Sequence, residues 1–327
     1  MDRRTFICIV ASGALACPHV AGAQQASKVW RVGFIAGGIR PPDGAAPAPL
    51  REQLQALGFA EGKDVTYEGR WGEGRNERLR ELAADLFSHK VDVVVAFGGP
   101  AAEAAKQASS TTPIVVFSAG DVVETGLVAS VARPGGNVTG VNDPAAVLSA
   151  KRLEILKELV PTAKRVAVLW NAENYAMTLR YREIEKAAQL LGMGVEPLGV
   201  REPDDFDVAF AAMTRARPDA LMMLTDALTN LNRQRVLDYV NARQIPAMYE
   251  FGNVVHAGGL ISYGSDLDET LRLAAVYVAK VLKGAKPSDL PVEQPNRYFL
   301  VVNVKAAKNL GLSISPSLLL RADEVIQ

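Results

Sequence analysis

The chain repeats itself, and that repetition restricts its fold more than any other feature. "RVGFIAGG" (residues 31–38) and "RVAVLWNAEN" (165–174) each open a unit with an apolar run. An amphipathic segment follows each, ending "QALGF" (55–59) in one and "QLLGM" (189–193) in the other. Then "VDVVVAFGGPAAEAA" (91–105) aligns with "PDALMMLTDALTNLN" (218–232), and "TTPIVVFS" (111–118) with "RQIPAMYE" (243–250). Each half thus carries strand, helix, strand, helix, strand, helix, strand in the same order.

Short β-branched runs read as strands, and longer stretches with apolar residues at helical spacing read as helices. Strands are expected at 30–35, 65–68, 91–97, 114–117, 137–141, 165–170, 195–200, 220–225, 247–249, 259–263 and 298–302. Helices are expected at 47–57, 76–88, 100–108, 145–159, 175–191, 206–215, 228–243 and 267–282. Such alternation forms right-handed βαβ units on parallel sheets. The expected fold is therefore α/β: two doubly wound, Rossmann-like lobes with parallel sheets, joined by a hinge. In open parallel sheets ligands bind beyond the C-terminal strand edges, and two such edges face to face make a cleft. The chain first crosses between lobes at "VTGVNDPAAV" (138–147), where Asp143-Pro144 starts a new helix.

The N-terminal segment has Arg3 and Arg4, an apolar run from Phe6 to Cys17, and Ala21-Gly22-Ala23 before Gln24. That is the pattern of a secretory signal peptide over residues 1–23. Arg3-Arg4-x-Phe6-Ile7 has the order of a twin-arginine signal, with Asp2 where serine is usual. Lipidation at Cys17 is the alternative, with Ala14 a poor match to a lipobox. Both cysteines, Cys8 and Cys17, lie in this segment, so the mature protein needs no disulfide and has no thiolate ligand or nucleophile. It would carry 34 basic and 35 acidic residues. That balance gives no polyanion-binding surface, and no nucleic-acid partner is expected.

The two halves offer different chemistry at one equivalent place. Gly98-Gly99-Pro100 ends a strand in the first half, and Thr225-Asp226-Ala227 does so in the second. The glycines form either a plain tight turn, with Pro100 at the first helical position, or an anion site built from the N–H groups of a helix start. Asp226 is either an N-cap or a carboxylate for a ligand ammonium. Opposed across a cleft, the two turns would hold the two ends of a zwitterion.

From Trp30 onward the chain resembles the bacterial ABC-transporter substrate-binding proteins of the tryptophan/tyrosine-binding type, which have the type I periplasmic binding protein fold. The resemblance is carried by "LGFAEGKDVTYEGRWGEG" (57–74), "GLVASVARPGGNVTGV" (126–141), "KRLEILKELVPTAKRVAVLWN" (151–171), "AGGLISYGSD" (257–266) and "SLLLRADEVI" (317–326). It implies hinged lobes that close on a small molecule and deliver it to a membrane permease and ATPase. It implies a periplasmic monomer. Residues 28–142 plus about 266–292 would form the first lobe, and 143–265 plus about 293–327 the second.

Carried onto this sequence, the resemblance implies ligand contacts at Gly99, Pro100 and Ala101, at Ser118 and Asp121, and at Asn171 and Asn174. Asp226, Tyr249, Glu250 and Tyr263 complete the set. Tyr249 reads equally as a packed core ring, and Tyr263 as a strand end. Four positions depart from the family pattern: Val122 replaces a proline, Tyr175 a proline, Leu228 an aromatic residue, and Trp170 a smaller one. Trp170 and Tyr175 either rebuild an aromatic wall or simply pack. The aromatic amino acids bound by family members are therefore not assumed here.

An enzyme is not expected. The mature chain has two histidines, His89 and His256, neither with a companion at metal-ligand spacing. P-loop and nucleophile-elbow motifs are absent, and Gly33, Gly37 and Gly38 miss dinucleotide spacing. Neither metal nor cofactor is expected. A sensor docking on a membrane receptor would use the same lobes as an importer, and a carboxylate-based enzyme is the remaining alternative, since sequence alone does not pair carboxylates.

Overall fold

The computed structural model describes residues 28–42, 46–142, 145–295 and 297–327. The signal peptide expected over residues 1–23, with Cys17, and the Asp143-Pro144 crossing lie outside the described residues. The first lobe runs β1 (Trp30–Ala36), α1 (Ala48–Ala56), β2 (Val65–Trp71), α2 (Leu79–Ser88), β3 (Val93–Phe97), α3 (Gly99–Ala108), β4 (Ile114–Phe117) and β5 (Val138–Val141). Then α4 (Ala145–Leu159) leads into the second lobe. It runs β6 (Arg165–Asn171), α5 (Tyr175–Leu190), β7 (Gly194–Val200), α6 (Asp205–Ala216), β8 (Ala220–Met223), α7 (Ala227–Leu231), α8 (Arg233–Arg243), β9 (Ala247–Tyr249), α9 (Gly252–His256) and β10 (Ile261–Gly264). The chain continues through α10 (Leu267–Leu282), β11 (Phe299–Asn303), α11 (Val304–Asn309), α12 (Pro316–Arg321) and β12 (Glu324–Ile326).

Among the described residues the first sheet has the order β2-β1-β3-β4-β5, all parallel. The second has β7-β6-β8-β9-β10 in the equivalent places, also parallel, and adds β11 antiparallel to β10 and β12 parallel to β11. The two halves share one topology, as their sequence similarity predicts.

Strand alternation builds the cores. In β3, Val93 and Val95 face one side, with α1 and α10, while Val94 and Ala96 face the other, with α2 and α3. Four buried alanines of α3, Ala101, Ala102, Ala104 and Ala105, let that helix lie close on the sheet. In β6, Val166, Val168 and Trp170 join one layer and Ala167 and Leu169 the other. Each fully buried valine or leucine of these layers contributes about 1.5–3 kcal/mol.

The helices after β5 and β10 are exchanged. α4 packs on α5, β9 and β10 of the second lobe, and α10 packs back on α1, β3, β4 and β5 of the first. A third crossing follows α10: Glu293 pairs with Gly140 and Asn142 beside β5 before the chain enters β11.

Four local expectations need correction. The single helix expected over 228–243 is two, α7 and α8, because the chain turns at Asn232, whose side chain donates to the Leu228 carbonyl at 3.0 Å. Pro100 is the second residue of α3, not the first, since Gly99 already has helical geometry. The helices α9, α11 and α12, each of five or six residues, were too short to show a period. The terminal strand β12 lacked one for the same reason, with three residues.

Candidate ligand-binding cleft

The C-terminal edges of the two sheets face each other. Between them lies a cavity of about 120 Å³, lined from both lobes. The first lobe contributes the loops after β1, β3 and β4, and the second those after β8 and β9 together with the start of α5. A wider opening of about 570 Å³ adjoins it between α2, α3 and the start of α5.

The lobes touch through glycines of the first lobe. A Cβ on Gly37 would stand 2.9 Å from Ala227 Cβ, one on Gly74 2.9 Å from Leu231 Cδ1, and one on Gly120 2.6 Å from Ala176 Cβ. These distances leave no room for a methyl group, so the structure is the closed arrangement of the lobes.

The Gly98 turn is built as an N–H-presenting helix start. Gly98 has φ 83° and ψ 160°, a conformation that disfavours any side chain. Its own N–H donates to the Phe117 carbonyl and its carbonyl accepts from Ala102. Pro100 has no N–H, so the helix start offers the N–H groups of Gly99 and Ala101, which have no intrahelical acceptor. Gly99, Pro100 and Ala101 all line the cavity. Ser118 lines it too, in left-handed backbone (φ 51°), and its buried Oγ has no protein partner. Such strain in a non-glycine residue collects at ligand sites.

Asp226 caps α7 and lines the cavity at once. Its Oδ1 accepts from the Thr229 N–H at 3.1 Å, and Thr229 Oγ1 accepts from the Asp226 N–H at 2.9 Å, forming a capping box. Its Oδ2 accepts from Asn171 at 2.6 Å and Asn174 at 3.3 Å. Burial pushes its pKa above the ordinary aspartate value, against the pull of these hydrogen bonds. Asn174 lines the cavity, whereas Asn171 stands behind Asp226 and accepts from the Glu173 N–H.

Besides Asn171, four of the residues read from the sequence lie off the cavity lining. Asp121 organises its own loop, accepting from the N–H groups of Val123 and Glu124, each at 3.1 Å. Tyr249 is 1% exposed and packs with Ala167, Leu169 and Val254, and burial raises its hydroxyl pKa. Tyr263 sits on β10 with Tyr298 at 6.2 Å between ring centroids. Glu250 lies beneath the cavity floor with no exposed surface. It accepts from Arg152 Nη1 at 2.9 Å, from Arg180 Nη1 at 3.0 and 3.1 Å, and from the Thr225 N–H at 2.9 Å. Burial alone would raise its pKa, but the two guanidiniums outweigh burial and hold it below the ordinary glutamate value. Trp170 stacks on Tyr181 at 3.9 Å inside the second lobe, and Tyr175 is exposed at the wider opening, so neither forms an aromatic wall in the cavity.

The aromatic lining comes instead from Phe97 and Phe251. Phe97 is fixed by stacking on Phe117, with centroids 4.6 Å apart. Sequence reading missed Arg180 and Asn230, and named Thr225 only as part of the turn that carries Asp226. Arg180 left a usable signal: it falls in line with Ala176, Met177, Ile184 and Ala188, the buried face of α5. A cation in an apolar stripe marks a buried charge with a partner. Thr225 Oγ1 and Asn230 Oδ1 are buried without protein partners, like Ser118 Oγ.

Residues 45–326 match the family described as ABC transporter substrate binding protein. The tyrosine-binding protein of Clostridioides difficile (strain R20291) is 26% identical over 259 residues, covering 79% of this chain and 74% of that protein. A conserved domain protein from Vibrio cholerae O1 biovar El Tor strain N16961 superposes with a TM-score of 0.84 at 26% identity, over 91% of this chain and 100% of the other. An ABC domain from Streptococcus pneumoniae in complex with L-Trp gives 0.83 at 26% identity over the same shares. The chain belongs to the ABC transporter substrate binding protein family, and it is a solute-binding protein rather than an enzyme.

Proposed function

We propose that this protein is the periplasmic solute-binding component of an ABC importer, and that it captures a small carboxylate-bearing solute by closing its lobes. The solute is an amino acid or an aromatic or other organic acid. The observation that carries this reading is the cavity itself. It lies between two lobes in contact, and it carries N–H donors on one lobe and a carboxylate on the other. A ligand carboxylate meets the N–H groups of Gly99 and Ala101 and the positive end of α3. A ligand ammonium meets Asp226, whose ionised form it stabilises in a buried place. Relatives that bind tyrosine or hold L-Trp support an amino acid in this position.

The protein works as a monomer, delivering its solute to a membrane permease and its ATPase. The N-terminal segment exports it, and mass spectrometry should find the mature chain starting at Gln24; a chain starting at a lipidated Cys17 would instead mean membrane anchoring. A thermal-shift screen of the mature protein against the common L-amino acids and simple carboxylates tests the solute class. A solute at a hundred times its Kd adds roughly 2.7 kcal/mol to stability. A screen in which only neutral sugars shift the melting point would reject the reading.

A further inference from the structure

Arg180 uses one corner of its guanidinium on the protein and leaves an edge unused. Its hydrogen bonds to described residues leave from Nη1, to both oxygens of Glu250. Its Nε is buried and has no partner. A guanidinium is planar, and Nε–H and one Nη2–H point the same way along a single edge. That edge matches the two oxygens of a carboxylate. The side chain is 6% exposed, and the residue lines the inter-lobe cavity.

Arg152 and Arg180 share one carboxylate, Glu250, and all three are buried. Arg152 is placed elsewhere, with its Nε donating to the Tyr263 carbonyl at 2.6 Å and no part in the cavity lining. Asp226 does not pair with Arg180, since its oxygens accept from Thr229, Asn171 and Asn174. Arg180 is thus a permanent cation beside the cavity, with Glu250 fixing its plane. Nearby, Ser118 Oγ and Thr225 Oγ1 are further polar atoms without protein partners on the same lining.

We infer that the Nε edge of Arg180 is the carboxylate anchor of the cleft, taking both oxygens of the solute's carboxylate from the second-lobe side. The inference rests on the reading that the solute bears a carboxylate. It adds a consequence that the α3 N–H groups alone do not have. The carboxylate is held by Arg180 of one lobe and by Gly99 and Ala101 of the other, so it joins the lobes and drives their closure. A solute of the same shape with a neutral carboxamide keeps one acceptor oxygen but loses the charge, and its amide N–H groups face N–H donors where the second carboxylate oxygen would accept.

The test is calorimetric titration of the mature protein, wild type and the variants R180K and R180Q. The probes are L-tryptophan, L-tyrosine, L-leucine, L-alanine and benzoate, each beside its carboxamide. R180K keeps a cation for Glu250 but loses the planar edge, and urea unfolding of each unliganded variant establishes that it is folded. The wild type should bind at least one acid, and the matching amide about a hundred-fold more weakly. R180K should weaken acid binding about ten-fold or more and bring acid and amide closer together, and R180Q should abolish the preference. Equal binding of acids by folded R180K and wild type would overturn the anchor while leaving the carboxylate-binding reading in place. A wild-type preference for acid over amide below about three-fold would also overturn it. Failure of every acid to bind the wild type would overturn both readings.

Discussion

Arg152 and Glu250 lie 98 residues apart in the chain and 2.9 Å apart in the structure. Arg152 belongs to α4, the helix that crosses between lobes, and Glu250 follows β9 at the base of the cleft. The pair therefore ties the crossing helix to the floor of the binding site, with Arg180 on its other side.

Removing the shared carboxylate should be severe. Glu250→Ala takes from two buried guanidiniums the carboxylate that they share, and should cost about 3–5 kcal/mol in urea unfolding at neutral pH. The Glu250 pKa is held below the ordinary glutamate value by the two guanidiniums, so its stabilisation is complete at neutral pH and lost as pH falls through the folded value. The gap between wild type and variant should narrow in that acidic range. A variant within 1 kcal/mol of wild type at pH 7 would show that the triad contributes little (about the value of a surface pair).

Asp226 should make amino-acid binding sensitive to acid. Burial raises its pKa above 3.8, and an ammonium requires the ionised form. Amino-acid affinity should fall as pH drops through the raised value, with protons released on binding in that window. Asp226→Asn keeps an N-cap but removes the charge, and should weaken amino acids roughly ten- to a hundred-fold. Acids lacking the amine should bind it about as well as wild type. Titration in buffers of different ionisation enthalpy measures the proton count; amino-acid binding that takes up no charge effect from either change would make Asp226 a cap alone.

A methyl group placed in the lobe contact should hold the protein open. Gly37→Ala puts a Cβ 2.9 Å from Ala227 Cβ across the cleft, in backbone that any residue adopts. Solute affinity should drop about ten-fold, with a larger radius by small-angle scattering at equal solute, while unfolding of the unliganded protein changes by less than about 0.5 kcal/mol. The exchange Gly37→Ala with Ala227→Gly restores the space and should restore closure. If the double variant binds no better than Gly37→Ala, the contact is not what limits closure.

Gly99→Val should remove binding by a different route. A Cβ there already stands 3.0 Å from the Ala119 carbonyl oxygen, so the branched side chain also strains the turn. Loss of solute binding should come with about 1–3 kcal/mol of lost stability. Normal binding would mean that the turn is only a turn.

The succession of strands and helices was legible because the two halves carry the same alternation at the same spacing. The turn at Gly98 and the cap at Asp226 were legible because their conformations demand particular residues. What was not legible depends on which way a helix or loop is turned. Glu250 was read as a ligand contact, but its charge is consumed by Arg152 and Arg180 beneath the cavity, and no spacing in the sequence brings those three together. Phe97 and Phe251 were overlooked as strand-end hydrophobics, since core and cavity walls use the same residues. Trp170 read as either a wall residue or a packed one, and the stacking partner that takes it inward, Tyr181, lies on another element.

The exchanged helices α4 and α10 bear on how the chain is made. During synthesis the first sheet is finished at Val141, yet its face bearing Val93, Val95 and Val115 waits for α10, which emerges only after the whole second sheet core up to Gly264. Until then a hydrophobic surface stands bare, and a ribosome stalled between the two would release a sticky half-protein. A lobe expressed by itself inherits the same defect from either side. Neither lobe is thus a self-sufficient folding unit: each is completed by a helix that the chain delivers from the far side of the crossing.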